Sequence, residues 1–368
     1  LRKILLSAVA VAALGYSGAA QAQIKIGVAG PLTGSNAAFG TQLQVGADQA
    51  VADINAKGGV FGKKLVDVVA DDACDPKQAV TVANQLVEDG VVFVDGHFCS
   101  ASSIPASKVY SDNGILEMSP ASTNPNYTDD SGSKTVFRDC GRDDQQGKVA
   151  ADYIAKNFKN AKIAVLDDNS TYGKGIADQV RMNLKKLGIP DAYDASYTAG
   201  DKDYSALISR LKQAGITLVY IGGYYSDAGL IERQGQAQGF TPQYFGEDAM
   251  QASALWQVAG PAAQGMLFTF PPPAEKGSAA AAVVAELTAK KEDPTGYVLY
   301  SYATIQVWAE AAKKAHSIKP ARVAHELRVG GPWPTVLGPM SFDAKGDVVN
   351  AAYAIYKWDN GTPDLLVP

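Results

Sequence analysis

Asp71-Asp72-Ala73-Cys74-Asp75-Pro76-Lys77-Gln78-Ala79, answered by Gly96-His97-Phe98-Cys99-Ser100-Ala101-Ser102-Ser103, decides the fold. Each run reads as a junction where a strand ends and a helix begins. Before the first, residues 65–70 read as a strand; after it, Asp75-Pro76 opens a helix over 77–89, proline being favoured in a first helical turn. Before the second, residues 91–94 read as a strand, and the hydroxyl-rich run after Cys99 starts a helix. Outward from these, 24–29 is a strand, 37–56 a helix and 114–118 a strand. Strand–helix–strand alternation predicts α/β architecture with a parallel sheet covered on both faces.

The pattern restarts after Gly141. Helices are expected at 145–158, 175–187, 204–214 and 228–238, with strands at 162–166, 192–197 and 218–221. Phe270-Pro271-Pro272-Pro273 interrupts the alternation, because three prolines cannot sit inside a helix or a central strand. Helices at 278–291 and 297–315 follow, then strands near 338–342 and 352–358 around the turn-like Asp343-Ala344-Lys345-Gly346-Asp347. A second lobe of the same architecture accounts for the restart.

The ends and the composition limit the partners. Arg2-Lys3, an apolar stretch over 4–14 and Ala20-Gln21-Ala22 read as a cleavable export signal at 1–22, too short in its apolar part to span a bilayer. The mature chain is then expected in the periplasm. A formal charge of −5 without basic clusters argues against nucleic acid or an anionic membrane as partner. Three cysteines, Cys74, Cys99 and Cys140, stand in a context that permits a disulfide, and spacing alone does not choose the pair. No His or Cys pair has metal-ligand spacing, so neither metal nor other cofactor is expected. His97, His316 and His325 lie far apart and no G-x-S-x-G occurs, which leaves an enzyme unsupported. Asp71 and Asp72, adjacent at a strand end, face opposite ways and read as a turn rather than an acid pair.

Together with their flanking sequence, the two quoted runs resemble the periplasmic leucine/isoleucine/valine-binding proteins that feed ATP-binding-cassette importers. The resemblance covers nearly the whole mature chain. It implies a type I periplasmic binding protein: two Rossmann-like lobes joined by a three-segment hinge. Lobe 1 would be 23–141 and 272–349, and lobe 2 would be 142–271 and 350–368. The resemblance also pairs Cys74 with Cys99, leaving Cys140 as a buried small residue.

A free amino acid needs donors for its carboxylate, acceptors for its ammonium and an apolar wall. The run Ser100-Ala101-Ser102-Ser103 offers backbone N–H groups at a helix start, where the dipole favours an anion. On residues alone, capping by Ser100 or Ser102 is the simpler reading. The resemblance instead makes Ser100 a carboxylate ligand, joined by Ala121 and Thr123 from Ser119-Pro120-Ala121-Ser122-Thr123-Asn124-Pro125. It places Tyr172 and Tyr224 over the ligand and an acid, Asp248 rather than its neighbour Glu247, on the ammonium. Phe39, Phe98 and Tyr297 correspond to pocket positions and would narrow it, the alternative for Phe98 being plain packing beneath the disulfide loop. Phe98, Asp248 and the run Arg138-Asp139-Cys140-Gly141-Arg142-Asp143-Asp144-Gln145-Gln146-Gly147 are similar to a subgroup that includes binders of alanine, proline, valine and γ-aminobutyrate. The implied function is amino-acid capture for import, by a monomer that docks on an inner-membrane permease. A ligand sensor of the same fold docking on a receptor is the alternative, and a periplasmic amidase the disfavoured one.

Overall fold

The computed structural model describes residues 23–189 and 193–368. The expected export signal lies outside them, as does Ala192, the first residue of one expected strand. Among the described residues, fourteen strands and twelve α-helices follow in chain order. The first group is β1 Ile24–Gly30, α1 Ala37–Ala56, β2 Leu65–Asp71, α2 Pro76–Glu88, β3 Phe93–Gly96, α3 Ser100–Asp112, β4 Leu116–Ser119, α4 Asn126–Asp129 and β5 Val136–Arg138. The next is α5 Asp143–Asn157, β6 Ile163–Asp167, α6 Thr171–Lys186, β7 Tyr193–Ser196, α7 Ser205–Gln213, β8 Leu218–Gly222, α8 Tyr225–Ala237, β9 Gln243–Gly246, α9 Ala254–Ala259 and β10 Leu267–Phe270. The last is α10 Ala281–Ala289, α11 Val298–Lys314, α12 Pro320–Val329, β11 Trp333–Thr335, β12 Gly338–Met340, β13 Ala354–Asp359 and β14 Thr362–Val367.

The strands form two separate sheets and a short ribbon. One is parallel throughout, in the order β2-β1-β3-β4-β5. The other runs β14-β13-β10-β9-β8-β6-β7, with β13 and β14 antiparallel to their neighbours. β11 and β12 pair only with each other. β6 and β8 are buried along their whole length, as strands covered by helices on both faces must be. The chain therefore leaves the first sheet after β5, returns to it after β10 through α11 and α12, and enters the second again at β13.

Packing shows why the sequence accepts this. α11 lies along α1, and a Cβ on Gly46 would stand 2.1 Å from the Val298 carbonyl, so only glycine permits that approach. Trp308 of α11 is fully buried and stacks on Phe93 of β3 at 5.2 Å. In the second lobe Gly173 and Gly222 touch backbone to backbone: a Cβ on Gly222 would lie 2.4 Å from the Gly173 carbonyl. That contact starts α6 at Thr171, four residues before the expected Gly175. α8 likewise begins at Tyr225 rather than 228. β3 and β4 each begin two residues later than their apolar runs suggested. β9, β10, α12 and β14 carry no expectation from pattern at all.

The quoted junctions behave as local chemistry requires. Asp75 caps α2, accepting from the Lys77 and Gln78 amides. Asp71 and Asp72 part company: Asp71 accepts from the Leu32 and Ala73 amides, Asp72 from the Cys74 amide and the His97 ring. Cys74 and Cys99 are bonded, with Cα atoms 5.5 Å apart, and Cys140 is a buried free thiol.

Candidate functional site

Five loops meet where the two sheets face one another, and each follows the carboxyl end of a parallel strand. β3 leads to Phe98 and Ser100, β4 to Ala121, β6 to Tyr172, β8 to Tyr224 and β9 to Asp248. Crevices of open parallel sheets form at such ends. These residues, with Ala249 and Tyr297, line a cavity of about 10 Å³. That is about one water, so anything larger enters only when the lobes part. A wider cleft of about 280 Å³ lies at the hinge against Pro271–Pro273 and 348–352, but it lacks a paired anion and cation pole.

The first lobe supplies a donor pole. Cys99, not Ser100 or Ser102, occupies the N-cap of α3, and no side chain caps the helix. The disulfide holds Cys99 at that position, so the hydroxyls are released for other work. Ser100 accepts from the Asn124 amide at 3.3 Å and otherwise faces the cavity. Ser103 and Ser119 donate to the His97 carbonyl, and Ser122 donates to Ser103 at 2.5 Å. The serines thus zip the loop carrying Ser100 to the loop carrying Ala121. His97 braces both: Nδ1 lies 2.6 Å from Asp72 and Nε2 2.9 Å from the Tyr110 hydroxyl. With both ring nitrogens engaged and the ring buried, it has no access to the cavity as a base.

The second lobe supplies the acceptor pole. Ser170 caps α6 and sets Tyr172 in its first turn. Tyr172 donates to Asp248 Oδ1 at 2.5 Å and also meets Glu247. Gln146 Nε2 donates to the same Oδ1 at 3.0 Å, and the Tyr297 hydroxyl, from the first lobe, donates to Oδ2. Glu247 turns away from the cavity, accepting from the Ala249 amide at 2.6 Å and the Gly223 amide at 3.3 Å. Burial pushes both carboxyls up from the ordinary range; the tyrosines and Gln146 oppose this at Asp248, and the charge of Asp248 adds to it at Glu247. Such a pole favours an incoming cation, since a positive group would relieve the penalty of burying negative charge.

Between the poles stands an aromatic wall. Phe98 stacks on Phe39 at 4.3 Å and meets Tyr297 edge-on at 4.9 Å. Tyr172 and Tyr224 have ring centres 5.3 Å apart.

Seven of the nine expected residues line the cavity: Phe98, Ser100, Ala121, Tyr172, Tyr224, Asp248 and Tyr297. Phe39 stands one layer behind Phe98. Thr123 is buried off the lining, and its carbonyl accepts from the Asp143 amide. Sequence reasoning missed Gln146, Ala249 and Tyr225, the last edge-on to Phe39 at 5.3 Å. Tyr225 directly follows an expected tyrosine, so its neighbour was a signal; Gln146 had none beyond lying in a quoted run.

Two parallel-sheet lobes closing polar loops around one small cavity define a two-lobed binding protein of type I. The chain belongs to the periplasmic binding protein family, whose model matches residues 23–363. It is 46% identical over 362 residues to "Leu/Ile/Val-binding protein homolog 1" of Brucella suis biovar 1, covering 98% of this chain and 97% of that one. It is 44% identical to "Amino acid binding protein" of Pseudomonas aeruginosa, covering 98% and 96%. Among solved structures, the leucine binding protein LivK of Thermotoga maritima superposes with a TM-score of 0.86 at 27% identity, covering 94% of this chain and 98% of that one. LivJ of Streptococcus pneumoniae, in complex with isoleucine, gives 0.84 at 29%, covering 94% and 100%. Among the described residues no helix is long and apolar enough to cross a membrane.

Proposed function

We propose that this chain is the periplasmic amino-acid-binding component of an ATP-binding-cassette importer. It takes branched-chain or small aliphatic amino acids between its two lobes. The observation that carries this is the opposition of two poles across one cavity: Ser100 and the start of α3 from one lobe, Asp248 from the other. The ligand carboxylate meets the Ser100 hydroxyl and the Ala121 backbone; Thr123, off the cavity lining, makes no such contact. Its ammonium meets Asp248, and Tyr172 and Tyr224 close over it. Phe98, Phe39 and Tyr297 take up space beside the side chain, which favours small ligands.

The relatives named for leucine, isoleucine and valine, and the solved homologue holding isoleucine, support the ligand class. The lobes are 23–141 with 272–349 and 142–271 with 350–368; they close about a hinge, and the closed face docks on an inner-membrane permease. The protein works as a monomer in the periplasm and returns its ligand unchanged. A thermal-shift panel of free amino acids tests the reading, because a ligand of the native state alone raises stability by RT ln(1 + [L]/Kd). At least one aliphatic amino acid should raise the midpoint, and mass spectrometry should recover it intact. No shift with any of them, or a chemically altered ligand, would overturn it.

A further inference from the structure

We propose that Gln146 is a positioning residue for this site, holding the Asp248 carboxylate at a fixed angle and so setting which amine positions the pocket accepts. The inference rests on the reading of Asp248 as the ammonium anchor.

Gln146 lies on α5, fully buried and outside the cavity lining. Its Nε2 is 3.0 Å from Asp248 Oδ1, 2.9 Å from Thr269 Oγ1 and 3.4 Å from the Thr269 carbonyl. A carboxylate and a carbonyl require the NH₂ end here, since the amide oxygen would set acceptor against acceptor. Asp248 itself sits in a single 3-10 turn, Asp248–Gln251, which constrains its side chain little.

The three donors on Asp248 are not equivalent. Tyr297 belongs to the first lobe and leaves when the lobes part. Tyr172 divides its hydroxyl between Asp248 and Glu247. Gln146 shares a lobe with Asp248 and is anchored by Thr269 on β10, so it stays in place through opening and closing. It is also neutral. A lysine or arginine there would cancel the negative charge that a ligand ammonium seeks, whereas an amide orients that charge and leaves it intact. With the donor pole fixed at α3, a fixed Asp248 reads the spacing between a ligand's carboxylate and its amine. An α-amino acid and γ-aminobutyrate differ in that spacing, and a carboxylate free to turn would tell them apart less well.

The test is calorimetry of L-leucine and γ-aminobutyrate on the full mature chain, comparing wild type, Gln146→Leu, Gln146→Glu, Asp248→Asn and Gln146→Leu combined with Asp248→Asn. Gln146→Leu should weaken the tighter ligand by about 10- to 100-fold, the value of hydrogen bonds to a charged group. It should bring the two affinities together, and it should add nothing in the Asp248→Asn background. Gln146→Glu should lose affinity more steeply than wild type as pH rises, because a further carboxylate ionises beside Asp248, whose charge already bears on Glu247 and Asp143; Gln146→Leu, adding no charge, reads the positioning alone. The inference is overturned if Asp248→Asn loses binding while Gln146→Leu keeps both affinities and Gln146→Glu titrates in parallel with wild type. If Asp248→Asn binds like wild type, the anchor reading itself has failed, and this inference with it.

Discussion

Replacing Arg138 with methionine should cost about 4 kcal/mol of stability, the range for breaking a buried pair by removing one partner being about 3–5 kcal/mol. Arg138 ends β5 with its side chain wholly buried. Nε donates to Asp347 at 2.7 Å, Nη1 to the Ser122 carbonyl at 2.5 Å, and Nη2 to the Asn124 carbonyl at 3.0 Å and the Thr128 hydroxyl at 2.8 Å. One guanidinium thus ties the end of β5 to the turn before β13 and to the loop bearing Ala121. Methionine fills similar space with no donor. Asp347 keeps Arg142 at 2.8 Å, which spares part of the loss. The Ser122 carbonyl, left unpaired, restores it at about 1–3 kcal/mol, partly overlapping with the pair itself, while the Asn124 carbonyl keeps the Tyr127 amide at 3.1 Å. Urea unfolding of wild type and variant, compared at equal slope, measures the difference. Lysine at this position keeps the charge but not the fork and should fall between the two. A loss under about 1 kcal/mol, on the scale of an exposed ion pair, would refute the reasoning.

Three further outcomes follow from the packing. Cys74→Ser with Cys99→Ser should destabilise by about 3 kcal/mol through the loop of 25 residues it frees, and thiol labelling of the denatured, unreduced wild type should count one free thiol, Cys140. A difference below 1 kcal/mol, or a second free thiol, would contradict this. Asp95 is pushed up to about 7 by burial, which the Ser301 and Thr304 hydroxyls only partly offset. The native state therefore holds its proton longer than the unfolded chain does, so the stability it confers below about pH 4 is withdrawn as pH rises through about 7. Asp95→Asn should gain on wild type across that window and level off above it; a pH-independent difference would rule the titration out. Phe98→Leu should improve leucine relative to alanine or proline by about 1–3 kcal/mol, read by calorimetry, and an unchanged ranking would mean that Phe98 serves only to pack against Phe39.

Much of the fold was legible because its central strands are continuous apolar runs. β1, β6 and β8 stand within a residue of where those runs lie. The helix starts were less so. Tyr172-Gly173 and Tyr224-Tyr225 look like loop sequence, yet tight glycine contacts and the Ser170 cap draw Tyr172 into α6 and start α8 at Tyr225. β9 and β10 hold four residues each, too few for a period to register, and β14 is exposed along its whole length. The disulfide loops and their serines stand out by residue type, but the pairing of Cys74 with Cys99 and the ligand role of Ser100 come from the family resemblance, since spacing leaves the pair open and the residues alone favour capping. Gln146 does not stand out: its role comes from a contact with a residue 102 positions away, and nothing in a glutamine on a polar helix foretells that.

The most direct measurement is a crystal structure of the mature chain grown with the amino acid that most raises its thermal midpoint. The ligand should lie between the lobes, its carboxylate within hydrogen-bond distance of Ser100 and its ammonium within that distance of Asp248, with Tyr172 and Tyr224 closed over it. A ligand lodged instead in the cleft against Pro271–Pro273, or lying between the lobes with its amine away from Asp248, would contradict the account.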